Sequence, residues 1–326
     1  MHKALAFSAG IVLSVSLTGC GSGDAPTAWK EYALQGTYSA SLSADSRFAL
    51  TGSFNHGGSL WDVGKHERLY DWNHRNGEQS IIAASGFSPE SSFAVTANQQ
   101  DLVLWNTNNG QPIGFWSSPG EIMALDLSPQ GDFALLGLAN HEAVYFDVKN
   151  GGVRKTLRHS ARVRSVDLSN DARFALTGSD DYKATLWNVE GATAIQQLTL
   201  GNVVDTVALA PNGRLAFSSG SLDKALIWET ETGRVLHDLS ETLGFFQKRV
   251  SFLSARFSSD SSQLLTGTAS GTVQLWDVSS GTELRRWKLH KRDPYGPVHT
   301  GAYDVAFGSA NTYYALGSNG FINEFR

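Results

Sequence analysis

His159, Thr177, Ser179 and Asp181 bring an imidazole, two hydroxyls and a carboxylate into one short stretch of the chain. Nucleophilic hydrolases assemble their triads from these groups, with the base taking the hydroxyl's proton and the carboxylate orienting the base. Other chemistry is thinly represented. The nine histidines are scattered, no His-Glu-x-x-His occurs, and Cys20 is the single cysteine. No metal site, no cofactor and no intrachain disulfide are therefore expected. No Gly-rich phosphate loop precedes a helix. A formal net charge of -5 and a pI near 6.0 give no reason to expect a nucleic-acid partner.

The elements that would position the four residues recur along the chain. Ala175-Leu176-Thr177-Gly178-Ser179 is followed by Leu186-Trp187-Asn188, and Ala49-Leu50-Thr51-Gly52-Ser53 by Leu60-Trp61-Asp62. With the aromatic residue as anchor the series is Trp61, Trp105, Phe146, Trp187, Trp228, Trp276 and Phe325, with steps of 44, 41, 41, 41, 48 and 49 residues by subtraction. A period in the forties built from short strands and turns predicts a β-propeller. Seven units follow, over about 38–74, 80–119, 121–160, 162–202, 203–248, 250–299 and 301–326. In each full unit an apolar strand such as Val163–Leu168, a polar turn, a second strand, a third ending in the aromatic and a more polar fourth make the four strands of a blade. The last unit stops at Phe325-Arg326 without a fourth strand. A spare strand, Trp29 to Leu34, precedes the first unit, and it is expected to close the ring by pairing with the last. Closure removes the open edge of a repeat array.

The steps Leu60-Trp61-Asp62, Leu104-Trp105-Asn106, Leu186-Trp187-Asn188, Ile227-Trp228-Glu229 and Leu275-Trp276-Asp277 resemble those of the WD-repeat family, over 29–326. Tyr145-Phe146-Asp147 and Glu324-Phe325-Arg326 depart from it. The resemblance implies an all-β, seven-bladed β-propeller of WD-repeat type with its ring closed by the N-terminal strand. It also implies another role for the hydrolase-like residues. WD-repeat blades often hold a structural tetrad, in which a turn Asp bonds a His, the His a Ser or Thr, and that hydroxyl the indole. Here the tetrad would be His159, Thr177 (or Ser179), Asp181 and Trp187, with Asp223 a variant in the fifth blade and most other blades lacking it.

The first twenty residues carry a second resemblance. Met1-His2-Lys3 is a positive start, and Ala4 to Ser16 an apolar run too short to span a bilayer. Leu17-Thr18-Gly19-Cys20 is similar to the bacterial lipobox. The resemblance implies a signal peptide at 1–19 and acylation of Cys20, with 20–28 a lipidated cysteine and flexible tether. Gly21, where an Asp would mark inner-membrane retention, implies the outer membrane facing the periplasm in a Gram-negative cell.

Two surfaces are candidates for binding. The long connections behind the steps of 48 and 49 hold Phe245, Phe246, Lys248 and Arg249, and Lys291, Arg292 and Tyr295. Aromatics beside Arg and Lys are typical of interface hot spots, and in WD-repeat proteins both connections lie on one face. Asp126, Asp167 and Arg256, at equivalent positions of innermost strands, with Asp304 two positions earlier in the seventh, are candidates to line a central channel. The expected function is a membrane-anchored, non-catalytic protein-binding platform of the bacterial cell envelope, a monomer or a subunit of a hetero-complex. The alternative is an envelope enzyme or small-ligand binder using the channel.

Overall fold

The structure, a computed structural model, describes residues 23–75, 77–243, 246–248, 250–293 and 300–326. The described residues form seven four-stranded antiparallel sheets and one two-stranded hairpin. The seven sheets are the blades of a propeller. Their innermost strands are Thr37–Leu42, Ala84–Phe87, Ile122–Leu127, Val163–Leu168, Val204–Leu209, Phe252–Phe257 and Ala302–Phe307. The hairpin, Glu241–Leu243 with Phe246–Lys248, rises from the connection between blades five and six.

Position within a blade explains the composition of each strand. Second strands such as Phe48–Ser53 and Phe174–Ser179, which share the sequence FALTGS, are buried on both faces because each blade packs between two others. Outer strands such as Pro112–Ser117 and Thr193–Thr199 are half exposed, with exposed positions alternating with partly buried ones along much of each strand. The core is correspondingly divided. Seven apolar clusters each span one junction between neighbouring blades. At the junction of blades four and five, Leu176 and Leu186 meet Val204, Val207 and Trp228.

Blade seven is completed from the other end of the chain. Ala28–Glu31 pairs antiparallel with Phe321–Phe325, and Thr27 donates from its amide and its hydroxyl to the Glu324 carbonyl. Tyr32, which follows, stacks flat on Trp61 at 4.3 Å and bonds Nδ1 of His66 at 2.9 Å. It thereby ties the closing strand to blade one, where Leu42 and Ala49 meet Leu316 and Ile322 of blade seven. The ring is closed by the N-terminal strand, as the short seventh unit predicts.

The segment ahead of that strand differs from expectation. Within the expected tether, Asp24 donates its amide to the Arg286 carbonyl and accepts from the Lys288 amide, both at 2.9 Å, in a parallel bridge to Trp287 on the outer edge of blade six. The stretch from Gly23 to Thr27 is therefore bound to the propeller. Its backbone groups find partners on exposed strand edges that an open blade would otherwise leave unpaired. Cys20 and the signal-like segment lie outside the described residues.

Candidate functional site

The channel down the middle of the ring encloses about 810 Å³. Its mouth is built by a backbone irregularity repeated around the ring. In six of the seven innermost strands the pairing register slips between the first and third residues, as a β-bulge. A bulge re-aims the extra residue's side chain. The residues so placed are Tyr38, Met123, Arg164, Asp205, Leu253 and Tyr303, and with Ala83 of blade two, whose pairing begins later, they line the channel. The ring is lopsided. Blades four and five supply the charges, with Arg164 paired to Asp180 at 3.2 Å. The other blades supply apolar or aromatic groups.

The apolar arc continues outward at blades one and two. Tyr38 meets Phe54 edge to face at 4.4 Å, yet the two rings remain 47% and 45% exposed. Phe54 is held by its amide, which donates to the Gly36 carbonyl, and Asn55 donates to the carbonyl of Leu34, itself 53% exposed. Ile81 is exposed on the connection from blade one to blade two. The exposed group of Leu34, Tyr38 and Phe54 is a site the sequence reading missed. Tyr38 is the bulge residue of the innermost strand of blade one, Leu34 precedes that strand and Phe54 follows the second, so folding of one blade brings the three together.

The channel residues singled out from sequence are brought to the channel wall, and their polar groups are engaged by neighbouring blades. Asp126 accepts from the Leu168 amide of blade four at 2.9 Å, and Asp167 from the Leu209 amide of blade five at 2.5 Å. Asp304 does the same for Leu42 of blade one at 2.7 Å, and Arg256 donates to the Leu42 carbonyl and to Asp304. These are interblade clamps that satisfy backbone donors between sheets. Burial, and then the neighbouring charge of Asp126, hold Asp167 well above the usual carboxylate range. Asp126 is raised as well, by burial. Two carboxylates this close cannot both ionise cheaply, so the pair retains a proton that a lone Asp would lose.

His159, Thr177, Asp181 and Trp187 form one hydrogen-bonded chain. His159 Nδ1 is 3.2 Å from Asp181 Oδ2, His159 Nε2 is 2.7 Å from Thr177 Oγ1, and the Trp187 indole donates to Thr177 Oγ1 at 2.8 Å. An ionised Asp181 can only accept, which puts the proton of a neutral ring on Nδ1 and lets Thr177 donate to Nε2. Burial lowers the His159 pKa, with Asp181 opposing it. Burial would raise Asp181, but the His159 charge, the amides of Ser160 and Lys183 and the His159 bond outweigh it and hold it below the usual range. Thr177 is fully buried, and the His159 side chain is 2% exposed. Thr177 therefore has no open side from which to attack a substrate. Ser179 is not in the chain; its hydroxyl donates to the Ala161 carbonyl at 3.3 Å.

Parts of this arrangement recur. The indole of Trp61 donates to Thr51, Trp105 to Thr96, Trp228 to Ser218 and Trp276 to Thr266, at 2.8–3.2 Å. Where the anchor is Phe146 or Phe325, the hydroxyl position holds Leu136 or Ala315, both buried. Blade two also has a histidine that sequence reading missed. His74 Nε2 lies 2.9 Å from Thr96 Oγ1, while its Nδ1 is buried with no hydrogen-bond partner. In blade five Asp223 accepts from the Gly201 amide at 2.6 Å, as Asp181 accepts from Ser160.

The partner surface expected on the long connections is partly corrected. Arg292 is not available as a free anchor. It pairs with Glu31 at 2.6 Å, donates to the carbonyls of Ala33 and Asn319, and lies over the Phe321 ring, so it braces the closing strand. Lys291 is exposed. Phe246 and Lys248 lie in the hairpin's second strand, and Phe245, Arg249 and Tyr295 lie outside the described residues.

Residues 151–188 and 240–277 match the family WD domain, G-beta repeat, a little under a quarter of the chain. The first match runs from the outer strand of blade three through the three inner strands of blade four, so the sequence repeat is offset from the blade. No curated protein matches the chain. WD-repeat propellers are typically protein-interaction platforms and generally non-catalytic. The matched repeats, the seven sheets and the N-terminal closing strand together make this chain a seven-bladed β-propeller of WD-repeat type.

Proposed function

We propose that this protein is a membrane-anchored, non-catalytic binding platform of the bacterial cell envelope that takes a protein partner at the channel mouth. The observation that carries the binding reading is the exposed apolar pair of Tyr38 and Phe54 at the channel mouth, with Leu34 exposed beside it. Large apolar side chains left exposed together in this way mark interaction surfaces. The anchoring reading rests on Leu17-Thr18-Gly19-Cys20 after an apolar run, and in a Gram-negative cell Gly21 favours the outer membrane facing the periplasm. The non-catalytic reading rests on the burial of Thr177 and His159 and on the use of Asp126, Asp167 and Asp304 as interblade acceptors.

The test is site-specific photocrosslinking in intact cells. A photoreactive residue replaces Tyr38, and in a control Phe115, which is exposed on the outer strand of blade two. The expected result is one protein adduct at position 38 that disappears when Phe54→Ser is added, with the melting temperature unchanged. Adducts of equal yield at both positions, or an adduct that survives Phe54→Ser, would sink the reading.

A further inference from the structure

The N-terminal segment is sewn to one place on the rim. Gly23 lies so close to the outer strand of blade six that a Cβ would sit 2.9 Å from the Trp287 backbone, and Asp24 is bridged to the same residue. The chain then crosses to Glu324 and the closing strand of blade seven. Cys20 is three Cα–Cα steps from Gly23, a reach of at most about 11 Å. On the anchoring reading proposed above, on which this inference rests, acyl chains at Cys20 therefore leave the protein beside blades six and seven and nowhere else.

The surface at that point is suited to lipid headgroups. Trp29 is 51% exposed, with its other face stacked on His290 at 4.2 Å, and Leu284 is 48% exposed. Lys30 and Arg285 are exposed around them. Nearby carboxylates are largely committed, Glu31 to Arg292, Glu283 to Arg286 and Glu324 to Arg326; Asp24 is exposed. Tryptophan settles at the headgroup level of a bilayer, and basic residues are drawn to anionic lipid. We propose that the rim of blades six and seven is the membrane-contact surface. The propeller stands edge-on upon an anionic lipid layer, with the channel mouth open to the side.

The test uses the full-length lipidated protein in phosphatidylethanolamine–phosphatidylglycerol vesicles that carry a nitroxide on the headgroup. With the Cys20 thiol acylated, an introduced cysteine is the sole site for a fluorescent label. Leu284→Cys reports on the rim, and Ile195→Cys, on the exposed outer strand of blade four, reports on the far side. Thr282→Cys and Thr193→Cys give a second pair. Quenching at least twofold stronger at 284 than at 195, reduced by Lys30→Glu with Arg285→Glu, is the expected result. Equal quenching at the two positions, with the protein still floating with the vesicles, overturns the orientation alone. Flotation that is absent, or unchanged by Cys20→Ala, overturns the anchor and the orientation together.

Discussion

Thr177→Val tests whether the hydrogen-bonded chain of blade four holds the fold. Valine keeps the shape of threonine but cannot bond, so it strands two groups at once, the Trp187 indole N–H and Nε2 of His159. A buried polar group without a partner costs about 1–3 kcal/mol, so two give about 2–6 kcal/mol. Unfolding entropy of about 2.1 cal/mol/K per residue over roughly 300 residues converts each kcal/mol into about 1.6 °C, a fall of about 3–10 °C. Blade six supplies the internal control. Thr266→Val strands the Trp276 indole but no histidine, the weak bond to the Gln274 carbonyl aside, so it should lower the midpoint by about 2–5 °C. Thermal unfolding followed by circular dichroism, with both variants at pH 7.5, gives the comparison. If Thr177→Val were no more damaging than Thr266→Val, the His159 bond would contribute nothing and the reasoning would fail.

Two predictions concern pH. Burial holds the folded His159 pKa below its usual value. Above about 6.5 both folded and unfolded states are neutral there. Below it the unfolded state binds the proton first, so the stability carried by neutral His159 is lost as pH falls from the unfolded towards the folded pKa. The advantage of the wild type over His159→Gln should thus be constant from pH 7 to 8 and shrink from pH 6.5 to 5.5; an advantage that grows on acidification contradicts this. Asp167 has the opposite sign, because its folded pKa is raised. Its stabilising contribution is present below the unfolded value and lost as pH rises through the folded one. Asp167→Asn, which can still accept from the Leu209 amide, should melt higher than the wild type at pH 8, and the gain should vanish towards pH 4. A lower midpoint for the variant at pH 8 would refute the proton-sharing account.

The regular part of the fold was legible because strict packing imposes a strict spacing. A tryptophan anchor demands a hydroxyl about ten residues earlier, and a phenylalanine anchor releases that demand, which is why Leu136 and Ala315 accompany Phe146 and Phe325. His74 escaped notice because 22 residues separate it from Thr96, against 18 from His159 to Thr177, and no Asp completes its chain. The channel mouth escaped for a different reason. A bulge leaves no mark in residue type: Tyr38, Met123, Arg164 and Asp205 share a position and nothing else. Arg292 was misread because a charged residue on a long connection looks the same whether it faces solvent or Glu31.

The closing strand also sets an order in time. Thr27 meets Glu324 across 297 positions of the chain. A polypeptide emerging N-terminus first exposes the closing strand at the outset and must keep it unpaired until the final strand arrives. Until that moment blade seven lacks its outer strand and blade one is packed on one side only, against blade two. The last contact has close to the greatest sequence separation the chain allows, which makes the end of folding the slow and aggregation-exposed step. Ring integrity is thus decided only once Phe321–Phe325 has been made and can meet the closing strand.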